Sequence, residues 1–197
     1  MNENPSISSA KRGLRDAARA TLRAMDEREC ADASIAACER VCALPEYRHA
    51  KTLMAYLPLP DELDCESLIE HALQAGKTVC VPDADWDSRS MRAARLRSLA
   101  ADGLVADRHG VRSPRSIEPV AVGALQLIIA PGLAFDERGG RLGRGGGFYD
   151  RFLGQLLSSV PIVALAFERQ IVPQIPQEPH DASVAMIATE TRLIRCD

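Results

Sequence analysis

Apolar residues recur at helical spacing early in the chain, with Leu14, Ala18, Leu22 and Met25 on one face and Lys11, Arg15, Arg19 and Arg23 on another. Ser8 or Ser9 is suited to cap this helix, which leaves residues 1–8 as a flexible polar tail. A second helix is expected over 32–44, stopped by Pro45. The apolar run 52–57 reads as a buried strand that Pro58 and Pro60 end. Asp64 can cap a helix whose inner face is Leu68, Ile69, Ala72 and Leu73, with Gly76 as its terminator. Strands are expected over 78–81, 91–97, 125–130, 161–167 and 184–188, and a helix over 148–157. The pattern is weakest between 83 and 120, where 113–116 reads as a loop.

Strands alternating with helices predict an α/β protein whose mostly parallel sheet is covered on both faces. With 197 residues and no linker, repeat or low-complexity stretch, one domain spanning 1–197 is expected.

Composition narrows the function classes. Hydrophobic residues at 46% suffice for a sizeable core, and a formal net charge of -3 offers no basic surplus for nucleic acid or an anionic membrane. No apolar run reads as a signal peptide or reaches the length of a bilayer span. The six cysteines show neither a C-x-x-C pair nor zinc spacing, and read as reduced thiols of a cytoplasmic protein.

The densest chemistry lies between 131 and 151, where Gly139, Gly140, Gly143, Gly145, Gly146 and Gly147 stand alongside Arg138, Arg141, Arg144 and Arg151 directly after a buried strand. Glycines let backbone N–H groups turn inward and approach a ligand, and arginines add forked donors for phosphate oxygens. The helix expected from 148 points its positive end at the same place. A polyanion site is the economical reading, with Asp150 available for an accompanying Mg²⁺. A solvated surface loop is the plainer alternative. G-x-G-x-x-G lacks its last glycine here, although Glu168 keeps a dinucleotide reading open, and no P-loop lysine motif or G-x-S-x-G is present.

This stretch resembles the signature of the 5-formyltetrahydrofolate cyclo-ligase family, P-G-x-x-F-D-x-x-G-x-R-L-G-x-G-x-G-[FY]-Y-D-R. Pro131, Gly132, Phe135, Asp136, Gly139, Arg141, Leu142, Gly143, Gly145, Gly147, Phe148, Tyr149, Asp150 and Arg151 all match it. The resemblance runs from Lys11 to Glu190. Lys11 and Arg15 fit the family's K-x-x-L-R, and Tyr56 to Asp64 is similar to its folate-side loop, with Glu62 at the substrate-binding acid. His180-Asp181 looks like its C-terminal segment. Cys65, Asp83 and Ser113 depart from the residue types common there.

The resemblance implies a three-layer α/β/α sandwich with a Rossmann-like sheet and an ATP-dependent C–N bond-forming ligase that takes Mg²⁺. The reaction implied is cyclisation of 5-formyltetrahydrofolate to 5,10-methenyltetrahydrofolate with release of ADP and phosphate. By the same resemblance Lys11, Arg15, Arg141, Arg144 and the Gly143–Gly147 backbone, with Gly145 and Gly146 between, would hold the triphosphate beside Phe148, Tyr149 and Asp150. Leu57, Glu62, Gly147, Phe148 and Tyr149 would face the folate, Asp150 and Asp181 the metal, and Arg144 and Asp150 would act in catalysis. Small molecules are the expected partners, with no nucleic acid, no membrane and a monomeric state. Two alternatives remain at this point, a same-fold binder without the activity and an enzyme acting on another formylated substrate.

Overall fold

The computed structural model describes residues 5–157 and 159–196. Helix α1 (Pro5–Arg23) opens on proline, whose missing N–H costs no helical hydrogen bond in the first turn. The expected tail is therefore corrected. Residues 5–8 are helical, Ser8 and Ser9 lie within the helix instead of capping it, and residues 1–4 fall outside the described residues.

Helix α2 (Glu27–Cys42) starts before the expected residue 32, because Asp26 accepts the N–H groups of Arg28 at 2.9 Å and Glu29 at 3.3 Å. Its first turn is charged and exposed, so apolar periodicity gave no sign of it. Pro45 opens a further short helix, α3 (Pro45–His49). Strand β1 (Thr52–Met54) is shorter than the buried run that carries it, which stays inaccessible through Leu57. Helix α4 (Glu66–Gln74) has the Glu66 N–H donating to Asp64 at 2.8 Å, and Gly76 at φ +72° follows its last turn.

Strands β2 (Thr78–Asp85) and β3 (Ser90–Leu96) form a hairpin. The weakly patterned middle adds β4 (Leu104–Ala106), β5 (Arg112–Pro114) and β6 (Pro119–Val120), so part of the expected 113–116 loop is paired strand. Strand β7 (Leu127–Ala130) is wholly buried. A small hairpin of β8 (Ala134–Phe135) and β9 (Arg141–Leu142) follows, then α5 (Phe148–Leu153), β10 (Ile162–Leu165), β11 (Met186–Ala188) and β12 (Leu193–Arg195). Helix α5 ends at Leu153, short of the expected 157.

The main sheet has the order β12-β11-β10-β7-β1-β2-β3-β6. Strands β11, β10, β7, β1 and β2 run parallel, and β12, β3 and β6 are antiparallel to their neighbours. Central β1 sets Leu53 opposite Val79 on one side and Leu127 on the other. Alternation then sorts side chains by face. Leu53, Val79, Leu127 and Ile129 pack with α2, α3 and α4, whereas Met54, Cys80, Ile128 and Ala130 pack with Phe152 and Leu153 of α5. The result is the three-layer α/β/α arrangement, with parallel strands covered on both faces.

Candidate active site at the carboxyl ends of the central strands

Ligands in open α/β sheets gather beyond the carboxyl ends of the strands. Chain leaving β1 and β7 there borders a cavity of about 560 Å³. Every residue singled out for nucleotide, folate or metal lines it, from Lys11 and Arg15 through Leu57 and Glu62 to the 141–150 segment and Asp181.

The segment between β7 and α5 is built, not loose. Asp136, 3% exposed, accepts N–H groups from Arg138 at 3.0 Å, Gly140 at 2.9 Å and Ile175 at 2.7 Å. At Gly140 an added Cβ would stand 2.5 Å from Asp136 Oδ2, so the chain closes around that carboxylate only with glycine. Gly147 precedes α5 at φ +67°, left-handed backbone that turns the chain into the helix. With only six residues α5 has a small dipole and offers little to an anion by itself.

Five cations line the cavity, Lys11, Arg15, Arg112, Arg141 and Arg144, each held by protein, with Arg112 on Glu66 at 2.7 Å. Lys11 is 7% exposed, and its Nζ lies 2.6 Å from Glu178 Oε2 and 2.6 Å from Asp181 Oδ2. Burial alone would lower its pKa, but the bonds to Asp181 and Glu178 outweigh it and keep the ammonium charged above the ordinary lysine value. Arg15 Nε donates to Gly143 O at 3.0 Å. Arg141 is almost fully buried, with Nη2 on Asp150 Oδ1 at 2.5 Å and its guanidinium over the Tyr149 ring. Arg144 donates to Glu62 Oε1 at 2.9 Å and pairs with Asp61, which ties the glycine loop to the 59–62 turn across the cleft. Burial would raise the Asp61 pKa, and the Arg144 bond instead holds it below the ordinary carboxylate value.

Two buried polar atoms in this cleft, Arg141 Nε and Tyr149 Oη, have no hydrogen-bond partner. Burial, followed by the nearby Glu62 charge, pushes the Tyr149 phenol well above its ordinary pKa, so the hydroxyl stays protonated and able to donate. Orphaned donors inside a concave site are what a polar ligand satisfies.

The residues named from the sequence thus line one cavity, and two of them are engaged differently from the expectation. Lys11 and Arg144, expected at phosphates, are each neutralised by a carboxylate pair in this structure. Sequence reasoning missed Trp86, Arg112 and Glu178, which also line the cavity. Trp86 stacks on His109 at 3.8 Å and edge-on against Phe148 at 4.8 Å between centroids. It is the chain's one tryptophan, but it sits in the β2–β3 turn, where the pattern was weakest. A second cavity of about 670 Å³ lies beyond Trp86, lined by Asp83, Asp85, Arg92 and Asp107. Its acids are engaged internally, Asp83 with Arg92 at 2.6 Å and Asp107 with the Trp86 indole at 2.6 Å.

Known proteins match both the sequence and the fold. The model of the 5-formyltetrahydrofolate cyclo-ligase family matches residues 7–190. A 5-formyltetrahydrofolate cyclo-ligase of Mus musculus is 34% identical over 193 residues, covering 93% of this chain and 95% of that protein. One from Escherichia coli K12 is 33% identical over 163 residues, covering 80% and 87%. The NMR structure of Aquifex aeolicus 5,10-methenyltetrahydrofolate synthetase superposes with a TM-score of 0.82 at 28% identity, covering 94% of this chain and 92% of that one. The match over nearly the whole length, in sequence and in fold, means that this chain belongs to the 5-formyltetrahydrofolate cyclo-ligase family.

Proposed function

We propose that the chain cyclises 5-formyltetrahydrofolate to 5,10-methenyltetrahydrofolate at the expense of ATP, with Mg²⁺, as a cytoplasmic, one-domain monomer. The observation that carries this reading is the single cleft in which a cation-flanked glycine backbone faces the Glu62, Phe148 and Tyr149 side chains.

A formamide is a poor electrophile, and ring closure has to expel its oxygen. Attack of the formyl oxygen on the γ-phosphorus releases ADP and turns that oxygen into a leaving group. N10 then attacks the activated carbon and loses its proton, and phosphate departs with the oxygen. Such a sequence asks the protein chiefly for positioning and charge neutralisation. Lys11, Arg15, Arg141 and the Gly143–Gly147 N–H groups hold the triphosphate. Arg144, resting on Asp61 and Glu62, reaches both the transferred phosphoryl group and the folate side. Leu57, Phe148 and Tyr149 orient the pterin, and Tyr149 Oη has a proton to donate to it.

The donor chemistry fits Mg²⁺. Asp150 and Asp181 border one cavity, and the Ala182 N–H lies 3.4 Å from Asp150 Oδ1, which makes the two aspartates neighbours. One or two carboxylates, completed by phosphate oxygens and water, are what this hard ion takes. Bound there, it would neutralise charge on the phosphates.

The test is absorbance in the methenyltetrahydrofolate band, with purified protein, 5-formyltetrahydrofolate, ATP and Mg²⁺. Growth of the band in the complete mixture and in no omission control is expected. A protein that binds ATP and yields no band would instead act on another formylated substrate or bind without turnover.

A further inference from the structure

Lys11 occupies an unusual place for a lysine. Its Nζ stands 2.6 Å from a carboxylate oxygen of Glu178 and 2.6 Å from one of Asp181, the geometry of a cation in a two-carboxylate seat. The seat is fixed from behind, since the Glu178 N–H donates to Asp181 Oδ2 at 2.7 Å. Glu178, His180 and Asp181 offer ligand atoms within 4.8 Å of one another, a span that one metal ion can bridge. Two cations cannot share so small a space among partly buried groups without strong repulsion, and a divalent ion doubles the effect.

We propose that Lys11 is the placeholder of the metal site. In the nucleotide-free protein its ammonium fills the seat and keeps divalent cations out. A polyphosphate entering beside Arg15 and Gly143 gives the lysine a new anionic partner and gives the metal additional oxygen ligands. Lysine leaves as metal arrives, so the cation enters with the nucleotide and not before it. The inference rests on the triphosphate assignment and on Asp181 as a metal ligand, both made above. It adds Glu178 to the seat, where it holds the lysine until nucleotide arrives and faces the metal afterwards. It also adds an order of events, with positive coupling between nucleotide and metal.

Mn²⁺ serves as the probe, because its resonance signal in water is lost on binding and it takes the same carboxylate ligands as Mg²⁺. The full chain without nucleotide is titrated as wild type, Lys11→Gln and Lys11→Arg. The exchange expects weak Mn²⁺ binding in wild type and in Lys11→Arg. In Lys11→Gln it expects binding tighter by roughly 5–150-fold, the usual range of coupling between sites. Equal affinity in wild type and Lys11→Gln overturns the proposal, whether both bind tightly or neither does. Thermal unfolding checks that each variant is folded, and Lys11→Met repeats the comparison if the amide disrupts the fold. A separate arm titrates wild type with a non-hydrolysable ATP analogue. Failure to bind the analogue removes the nucleotide assignment, whereas analogue binding with no gain in Lys11→Gln removes only the placeholder.

Discussion

Arg15 lies one helical turn beyond Lys11, and its bond to Gly143 O brings α1 onto the glycine loop. Removing a charge-assisted contact to phosphate costs about 1.5–3 kcal/mol. Arg15→Ala should therefore raise KM for ATP at least about tenfold while the protein stays folded, and an unchanged KM would take Arg15 out of the site. Gly140 has a different task. An alanine there drives its methyl into Asp136, the carboxylate that gathers three backbone N–H groups. Gly140→Ala should lower stability by about 1–3 kcal/mol, read as a drop in the urea midpoint, and a neutral substitution would show that the loop closes differently. Residues of this kind were legible because glycines and arginines at fixed spacing leave few other uses. Glu178 and Trp86 were not legible, since a lone carboxylate and a lone aromatic gain meaning only from neighbours distant in sequence.

At the scale of elements, the two faces of the sheet are covered unequally. Helices α2, α3 and α4, joined by Leu22 of α1, pack over one side, whereas the short α5 covers the other with Phe152 and Leu153. Phe152 is fully buried against strand residues, so Phe152→Ala should cost about 3–5 kcal/mol. The same change displaces the support of Tyr149 and Asp150, and kcat should fall along with the melting temperature. A loss of stability with kcat unchanged would mean that the site does not depend on this packing. Apolar periodicity located α1, α4 and the central strands, because their inner faces are continuous. It failed at the first turn of α2, where Asp26 rather than burial sets the start, and at β4 and β5, which pair with each other in a separate two-stranded sheet. Pairing of that kind leaves little imprint on local pattern.

For the molecule as a whole, burial of thiols and phenols shapes its response to alkaline pH. Burial raises Cys38 and Cys80 to about 11, and pushes Cys65, Tyr56 and Tyr149 well above their ordinary values. A group raised on folding gives its full stability below its unfolded pKa, about 8.5 for a thiol, and loses it as pH climbs through the folded value. Unfolding free energy should accordingly decline between about pH 8.5 and 11, measured by urea titration, and a flat profile across that window would contradict the burial of these groups. Thiol reactivity at neutral pH should likewise be slow at Cys38, Cys65 and Cys80, which sit in the core as expected for reduced small residues. Among the described residues no helix is long and apolar enough to cross a membrane.

Lys11 and its two carboxylates are 167 and 170 residues apart in the chain. A nascent chain that has reached Leu165 holds the glycine loop, Arg15 and four of the five parallel strands, yet has nothing to grip its lysine. At roughly 5–20 residues per second, α1 waits on the order of ten seconds for Glu178 and Asp181. The proposed nucleotide side of the cleft is thus assembled in two stages during translation, its cations early and the carboxylates that hold Lys11 late.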